Sequence, residues 1–332
     1  MPRGYLRYRF LVGPTASGKT AVALALARFA PIEAISMDSM QVFRGMDIGT
    51  AKPTAAERAV LPHHGIDLVT PAESFNVARY LALAESAAAA VEARGALPLF
   101  VGGTGLYLRA LTHGLLTGAP PDARLREELH RRAREEGGLA LHRELAAVDP
   151  VAASRLHPND VKRVVRALEV WRLTGCPISE LQSDWANPRT ERDRVLVGLR
   201  MDLDALHRRI ARRVEAMFAR GLVVEVARIR DGGGFGPQSA QALGYREVLD
   251  HLDGRLSLEE CRLAVIKATR AFARRQRTWF RSYPDLRWID VGEDDDPRDV
   301  AARVAVKLEI PPLPRGGEAS SSPGSSPGGT AG

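Results

Sequence analysis

The stretch FLVGPTASGKT, Phe10 to Thr20, decides the fold. Three apolar residues run into a loop that opens at Gly13 and closes on Lys19 and Thr20, fitting G-x-x-x-x-G-K-[ST] without a mismatch. Such a loop holds phosphates. Its glycines let backbone N–H groups converge on phosphate oxygens, and the N-terminus of the helix that follows adds a partial positive charge. Gly13, Pro14, Thr15, Ala16, Ser17, Gly18, Lys19 and Thr20 are the expected cradle. Lys19 would bridge two phosphates, and Thr20 would offer its hydroxyl to Mg²⁺.

Working outward, residues 8–12 read as the strand that feeds the loop, and AVALALARFA after Thr20 reads as a helix. IEAIS (32–36) is a second strand candidate, ending at Met37-Asp38. SFNVARYLALAESAAAAVEARG is a helix with Ser74 or Asn76 as cap and Gly95 as stop. LPLFVGGTG (97–105) is a buried apolar run ending in two glycines. Strands alternating with helices predict an α/β fold, a parallel sheet of the P-loop NTPase kind flanked by helices. The pattern changes near Gly118-Ala119-Pro120-Pro121, and from there to about Pro188 it is almost wholly helical and rich in arginine. RVLVGLRMD (194–202) and LRWIDV (286–291) then return as strands. The expected division is a core of residues 1–118 and 191–310, an all-helical insertion of 119–190, and a tail of 311–332. The tail is proline-, glycine- and serine-rich and is expected to be disordered.

With 332 residues, 45% hydrophobic and 26% charged, the chain has the composition of an ordinary globular protein with a sizeable core. No apolar run reaches the length of about eighteen residues that a membrane span needs. The start, MPRGYLRYRF, lacks the apolar stretch of a signal peptide. Cys176 and Cys261 form no C-x-x-C pair, which argues against a disulfide scaffold or a zinc finger and fits a reducing cytoplasm. A formal charge of +7 hints at a polyanionic partner. Nothing in the pattern marks a subunit interface, so a monomer is expected.

A phosphate loop that splits ATP also needs an apolar strand ending in an acid that holds the metal. The obvious strand, LPLFVGG, ends in Gly102-Gly103. The strand that does end in an acid is IEAISMD, and its acid is Asp38, followed by the polar run Ser39, Met40, Gln41. Asp38 is therefore a candidate metal ligand or base.

GPTASGKT, then DSMQVFRGMDIGTAKP (38–53), HHGID (63–67), GGTGLY (102–107), ALGYRE (242–247) and RRQRTWFR (274–281) occur in that order. The chain resembles the bacterial tRNA dimethylallyltransferases, also called tRNA isopentenyltransferases, over roughly residues 8 to 290. The resemblance implies transfer of a dimethylallyl group from dimethylallyl diphosphate to N6 of the adenosine 3′-adjacent to the anticodon, in tRNAs reading codons that begin with U. Diphosphate is released and Mg²⁺ is required. It implies that Asp38 is the general base, and that Lys19, Thr20 and Arg246 stabilise the leaving group while Thr104 helps hold the substrates. Asp38, Ser39, Met40 and Gln41 match the region that touches the flipped adenine, in the anticodon stem-loop, with Gln41 suited to an adenine edge.

The positive charge is patterned. Lys267, Arg270, Arg274, Arg277 and Arg281 are spaced by three and four and share one helix face, while Val265, Ala268, Phe272 and Trp279 lie largely on another, packed on the core. A basic stripe of this kind suits a phosphate backbone. The resemblance implies tRNA contacts for Arg270, Arg274 and Arg275, for Lys162, Arg163, Val164, Val165 and Arg166 in NDVKRVVRALEVWR, and for Arg126 in DARLREEL. Arg131, Arg132 and Arg134, set among Glu127, Glu128, Glu135 and Glu136, read as ion pairs along a helix. Trp171, Trp279 and Phe280 read as core rather than base-stacking platforms.

Three other readings compete. A small-molecule kinase would lack a use for the arginine-rich insertion. An adenine-nucleotide isopentenyltransferase would share the loop and Asp38 but not need that insertion. A non-enzymatic RNA-binding protein would have no need of Gly13, Lys19, Thr20 and Asp38 together.

Overall fold

Phe10, Leu11 and Val12 are wholly buried because β1 (Tyr8–Val12) runs through the middle of a parallel sheet with helices on both sides. A strand covered on both faces is apolar throughout rather than alternating, which is what FLV shows. The computed structural model describes residues 8–114, 122–186 and 193–311. Among them, α1 (Lys19–Leu26) follows β1, then β2 (Ile32–Met37), α2 (Ala55–Val60), the short β3 (His63–His64) and α3 (Val77–Ala93). Next come β4 (Leu97–Gly102) and α4 (Gly105–His113). Asn76 caps α3 by accepting from the Arg79 N–H, and Gly95 follows its last turn.

Helices α5 (Ala123–Glu135), α6 (Gly138–Val148), α7 (Pro150–Arg155), α8 (Val161–Thr174) and α9 (Ile178–Ala186) then run in series. They share an apolar core of their own, built on Leu129, Leu141, Leu145, Val164, Val165 and Leu168. The chain returns to the sheet with β5 (Arg194–Arg200). Helices α10 (Leu203–Ala219), α11 (Leu222–Asp231), α12 (Tyr245–Leu252) and α13 (Leu258–Phe280) follow, then β6 (Arg287–Asp290) and α14 (Pro297–Lys307). The first three of those helices occupy a stretch for which the sequence pattern predicted no element.

The sheet order is β3-β2-β4-β1-β5-β6, all parallel, so the α/β expectation holds. Val12 and Met37 both register with Gly102, which places the ends of β1, β2 and β4 side by side. In open sheets of this kind ligands bind beyond the carboxyl ends of the strands, where the chain departs to opposite sides. The predicted tail and both predicted edges of the insertion lie largely outside the described residues. Cys176 and Cys261 are not joined to each other in a disulfide, and no described helix is long and apolar enough to cross a membrane.

Candidate active site

Three loops leave the sheet at that shared edge: Gly13–Gly18 after β1, Asp38–Gln41 after β2, and Gly103–Thr104 after β4. They form one end of a cavity of about 830 Å³, walled further by α10, α12 and α13. Thr15, Lys19, Thr20, Asp38, Thr104, Arg213 and Arg246 all line it.

The glycine loop is tightly self-bonded. Lys19 Nζ donates to the carbonyls of Gly13 (2.9 Å) and Pro14 (2.8 Å), and the Ser17 N–H donates to Pro14 O (3.3 Å). Burial, and then the charge of Arg213, push the Lys19 ammonium down to about 7, while Asp38 acts in the opposite sense. Burial likewise lowers the pKa of Arg213, and Asp38 opposes it. Lys19, Arg213 and Asp38 are thus one electrostatic unit, two cations about one carboxylate. Arg209, one turn earlier on α10, brings its guanidinium to 3.7 Å from the place a Cβ on Gly18 would occupy. Sequence reasoning missed both arginines. LDALHRRIARRVEAM has four arginines of equal standing, and only the docking of α10 decides which face the loop.

Asp38 is held in a tight turn. Its Oδ1 accepts from the N–H groups of Met40 (2.8 Å) and Gln41 (3.3 Å). Thr104 Oγ1 accepts from Ser39 N–H (3.1 Å), and the Thr104 N–H donates to Met37 O (3.0 Å), so β4 props the turn that carries Asp38. The Gln41 amide is engaged inside the protein. Its Oε1 accepts from Ser36 Oγ (2.9 Å), and its Nε2 donates to the carbonyls of Thr50 (3.3 Å) and Ala51 (3.5 Å).

The missing acid after β4 has a steric reason. A Cβ on Gly102 would stand 2.3 Å from Met37 O, and one on Gly103 would stand 2.2 Å from Gln276 Nε2. No carboxylate fits there. Of the carboxylates lining the cavity, Glu247 pairs with Arg246 and Asp250 with Arg255, which leaves a cation the Asp38 carboxylate, with the Thr20 hydroxyl also in the lining. Among the described residues no group of three or more His, Cys, Asp or Glu side chains is placed to hold a metal ion by itself. That sparse oxygen set fits Mg²⁺, which keeps several waters and is commonly held by one or two protein oxygens plus substrate phosphates.

The segment 42–67 is pinned from two sides. Buried Lys52 donates to Phe43 O (2.8 Å) and pairs with Asp47 and Asp67 at 2.6 Å each. Glu225 of α11 accepts from the N–H groups of Asp47, Ile48 and Gly49. These contacts give DIGTAKP and HHGID a structural role that spacing alone did not reveal. His64 Nε2 bonds Glu33 Oε2 (2.6 Å) and His63 Nδ1 bonds Leu61 O (2.6 Å), which ties this strand to its neighbours.

The basic residues divide. Lys162 and Arg163 are exposed on α8, but Val164 and Val165 are 1% exposed and belong to the core of the helical insertion. Helical rotation turns both side chains inward. Arg126 and Arg166 both donate to Glu169 Oε2 at 2.7 Å. Arg131, Arg132 and Arg134 pair with Glu135, Glu136 and Glu127 as the spacing predicted. On α13, Arg274 and Arg275 are exposed and Arg270 is half-buried. Arg246 lines the cavity but is mostly exposed and pairs with Glu247 at 2.5 Å. Val265 and Phe280 are buried in the core, and Val265, Ala268 and Phe272 line the cavity. Trp279 is corrected from core to surface: it is 36% exposed, its indole laid against Gly105.

A model of the IPP transferase family matches residues 41–283, and one described as isopentenyl transferase matches residues 6–62. The tRNA dimethylallyltransferase of Cupriavidus taiwanensis is 51% identical over 288 residues, covering 84% of this chain and 89% of that protein. That of Geobacillus kaustophilus is 43% identical over 300 residues, covering 90% and 93%. The solved tRNA isopentenylpyrophosphate transferase of Bacillus halodurans is 42% identical, covers 92% of this chain and 97% of its own, and superposes with a TM-score of 0.67. A eukaryotic dimethylallyltransferase acting on tRNA is 25% identical, covers 93% and 81%, and gives a TM-score of 0.75.

Proposed function

The chain belongs to the IPP transferase family of tRNA dimethylallyltransferases, and on that premise we propose that it moves a dimethylallyl group from dimethylallyl diphosphate to adenine N6 in a tRNA anticodon loop. The observation that carries this reading is the placement of Asp38 against Lys19 and Arg213 in a single cavity. A carboxylate set against two cations beside a glycine loop suits a reaction with an acid-to-be on one side and a proton to remove on the other.

The bond broken is carbon–oxygen, and the bond formed is carbon–nitrogen. The electron pair of the broken bond leaves on the diphosphate. The loop N–H groups, Lys19 and Arg213 oppose that growing charge, with Arg209 beside Gly18 and Arg246 at the cavity wall. Lys19 exchanges the carbonyls of Gly13 and Pro14 for phosphate oxygens. Thr20, with Asp38 nearby, would hold Mg²⁺, which supplies charge neutralisation on the diphosphate. The adenine amine is a weak nucleophile because its lone pair is conjugated with the ring. It must lose a proton as it attacks, and Asp38 takes that proton. Thr104 holds the turn of Asp38 through Ser39 N–H and keeps the base in place.

A base beside the anticodon must leave its stack to enter such a cavity, and loop bases do so more cheaply than paired ones. Lys162, Arg163, Arg274 and Arg275 are exposed cations suited to the phosphates on either side. The reading includes preference for tRNAs of codons beginning with U.

The test is one incubation of the protein with Mg²⁺, labelled dimethylallyl diphosphate and unmodified tRNA, with AMP and ATP as parallel acceptors. Prenylated adenosine from tRNA alone is the expected product. Label on AMP or ATP would make the protein a nucleotide prenyltransferase. No transfer to any acceptor would remove the reading.

A further inference from the structure

Gln276 lies in the middle of the basic motif of α13, yet it is itself 6% exposed. Its Oε1 accepts from the Thr15 N–H at 2.8 Å, and its Nε2 donates to Gly103 O at 2.9 Å. One planar amide therefore spans the glycine loop after β1 and the end of β4. The two ends of the amide are chemically different, so its orientation is fixed: the oxygen must face Thr15 and the nitrogen must face Gly103. The bare Cα of Gly103 is what lets the amide come so close.

We propose that Gln276 is a positioning residue that sets the donor loop against the acceptor side of the site. The proposal rests on the reading above, in which Gly13–Thr20 holds the donor diphosphate and Thr104 borders the acceptor. Thr15 N–H belongs to the backbone that a glycine loop turns toward phosphate. Gln276 takes this N–H for the protein and so fixes the attitude of the loop that remains. Gly103 leads directly to Thr104, which holds Ser39 and hence the turn of Asp38. The path from donor loop to base thus runs Thr15, Gln276, Gly103, Thr104, Ser39, Asp38, each step a hydrogen bond or a chain neighbour. Arg274, Arg275 and Arg277 flank Gln276 on the same helix. A tRNA backbone bound to those cations bears on the donor loop through this side chain.

Substituting Gln276→Met in the full chain keeps the length and removes both bonds. Inorganic pyrophosphate should then bind about tenfold more weakly by calorimetry. Turnover with dimethylallyl diphosphate and tRNA should fall by about 10–10²-fold, as for other misplaced reacting groups. tRNA affinity should stay as in the parent, which a general loss of folding would not allow. Unchanged pyrophosphate affinity with unchanged turnover overturns the proposal, and so does a loss confined to tRNA affinity. The parent protein gives a second test that needs no variant. Its Thr15 amide should be protected from hydrogen exchange without any ligand, and exchange at the unprotected rate overturns the proposal. Weaker pyrophosphate binding in the variant, with no transfer by the parent, would retain the positioning role and remove the transferase reading. Transfer by the parent, with the variant unaltered, would do the reverse.

Discussion

Tyr245 donates its hydroxyl to Glu225 Oε1 at 2.6 Å, joining the start of α12 to α11 beneath the loop that Glu225 caps. The pair is buried, and the Glu225 carboxylate also takes three backbone N–H groups from residues 47–49. Glu225→Ala strands those donors. It should lower stability by about 1–3 kcal/mol, the desolvation penalty of a buried group left unpaired. Tyr245→Phe removes one bond only and should be milder. Urea midpoints of the two variants give the comparison. Equal midpoints for Glu225→Ala and the parent would mean that this loop is held elsewhere.

Asp38→Asn keeps an oxygen for the N–H groups of Met40 and Gln41 and removes the basicity. Turnover should fall by about 10²–10⁴, with tRNA affinity retained. Single-turnover rates alongside filter binding separate the two quantities. A variant as fast as the parent would move the base to another residue.

Arg213 and Arg246 make unequal predictions. Arg213 faces Lys19 and Asp38 deep in the cavity, whereas Arg246 is mostly exposed and already paired with Glu247. Arg213→Ala should lower turnover by about 10²–10³, in the range for a lost donor to developing charge. Arg246→Ala should do less. The ranking is read from initial rates at saturating tRNA, and the opposite order would favour a diphosphate site nearer α12 than the one proposed.

Much of this site is legible in the sequence because it is local. A strand, a glycine loop and a helix are consecutive, so Phe10–Thr20 announces itself. Asp38 is legible because it ends an apolar run. Arg213, Gln276 and Glu225 are not legible in that way. Each acts on a segment far off in the chain, and nothing in ARRVEAM or RRQRTW says which side chain turns inward. The run 162–166 divides for the complementary reason: a helix sends consecutive side chains in different directions, so Lys162 and Arg163 face solvent while Val164 and Val165 turn inward.

Lys162 and Arg163 are exposed cations at the start of α8, and neither is tied to the buried Glu169. Replacing both by alanine should weaken tRNA binding and lower the slope of log affinity against log salt by about two, one for each phosphate contact. The measurement is a salt titration of affinity. An unaltered slope would put the RNA on another face.

Glu169 makes the pH prediction. Burial alone would raise its pKa, but hydrogen bonds and charge from Arg126 and Arg166 outweigh burial and hold it below the usual 4.5. The group is ionised more readily folded than unfolded, so its stabilisation is complete above 4.5 and is lost as pH falls through the lower folded value. Acid should therefore loosen the helices of residues 123–186. Glu169→Gln should lower stability at neutral pH by about 1.5 kcal/mol and flatten its fall toward acid, because two partly exposed guanidiniums lose their charged acceptor. Helical ellipticity against pH, in both proteins, tests the sign.

Helix α13 runs 23 residues, roughly 34 Å at the standard rise. One face of it between Ala264 and Gln276 walls the cavity, Arg275 included, and Arg274 stands in solvent beside that face. The helix is therefore a gauge whose graduations are angular. Adding or deleting one residue between Lys267 and Arg274 would turn one part against the other by about 100°. The amide at residue 276 would lose Thr15, and the cations would point away from their present side. Drift in sequence can exchange side chains along this rod, but its length between those two marks is closed to change.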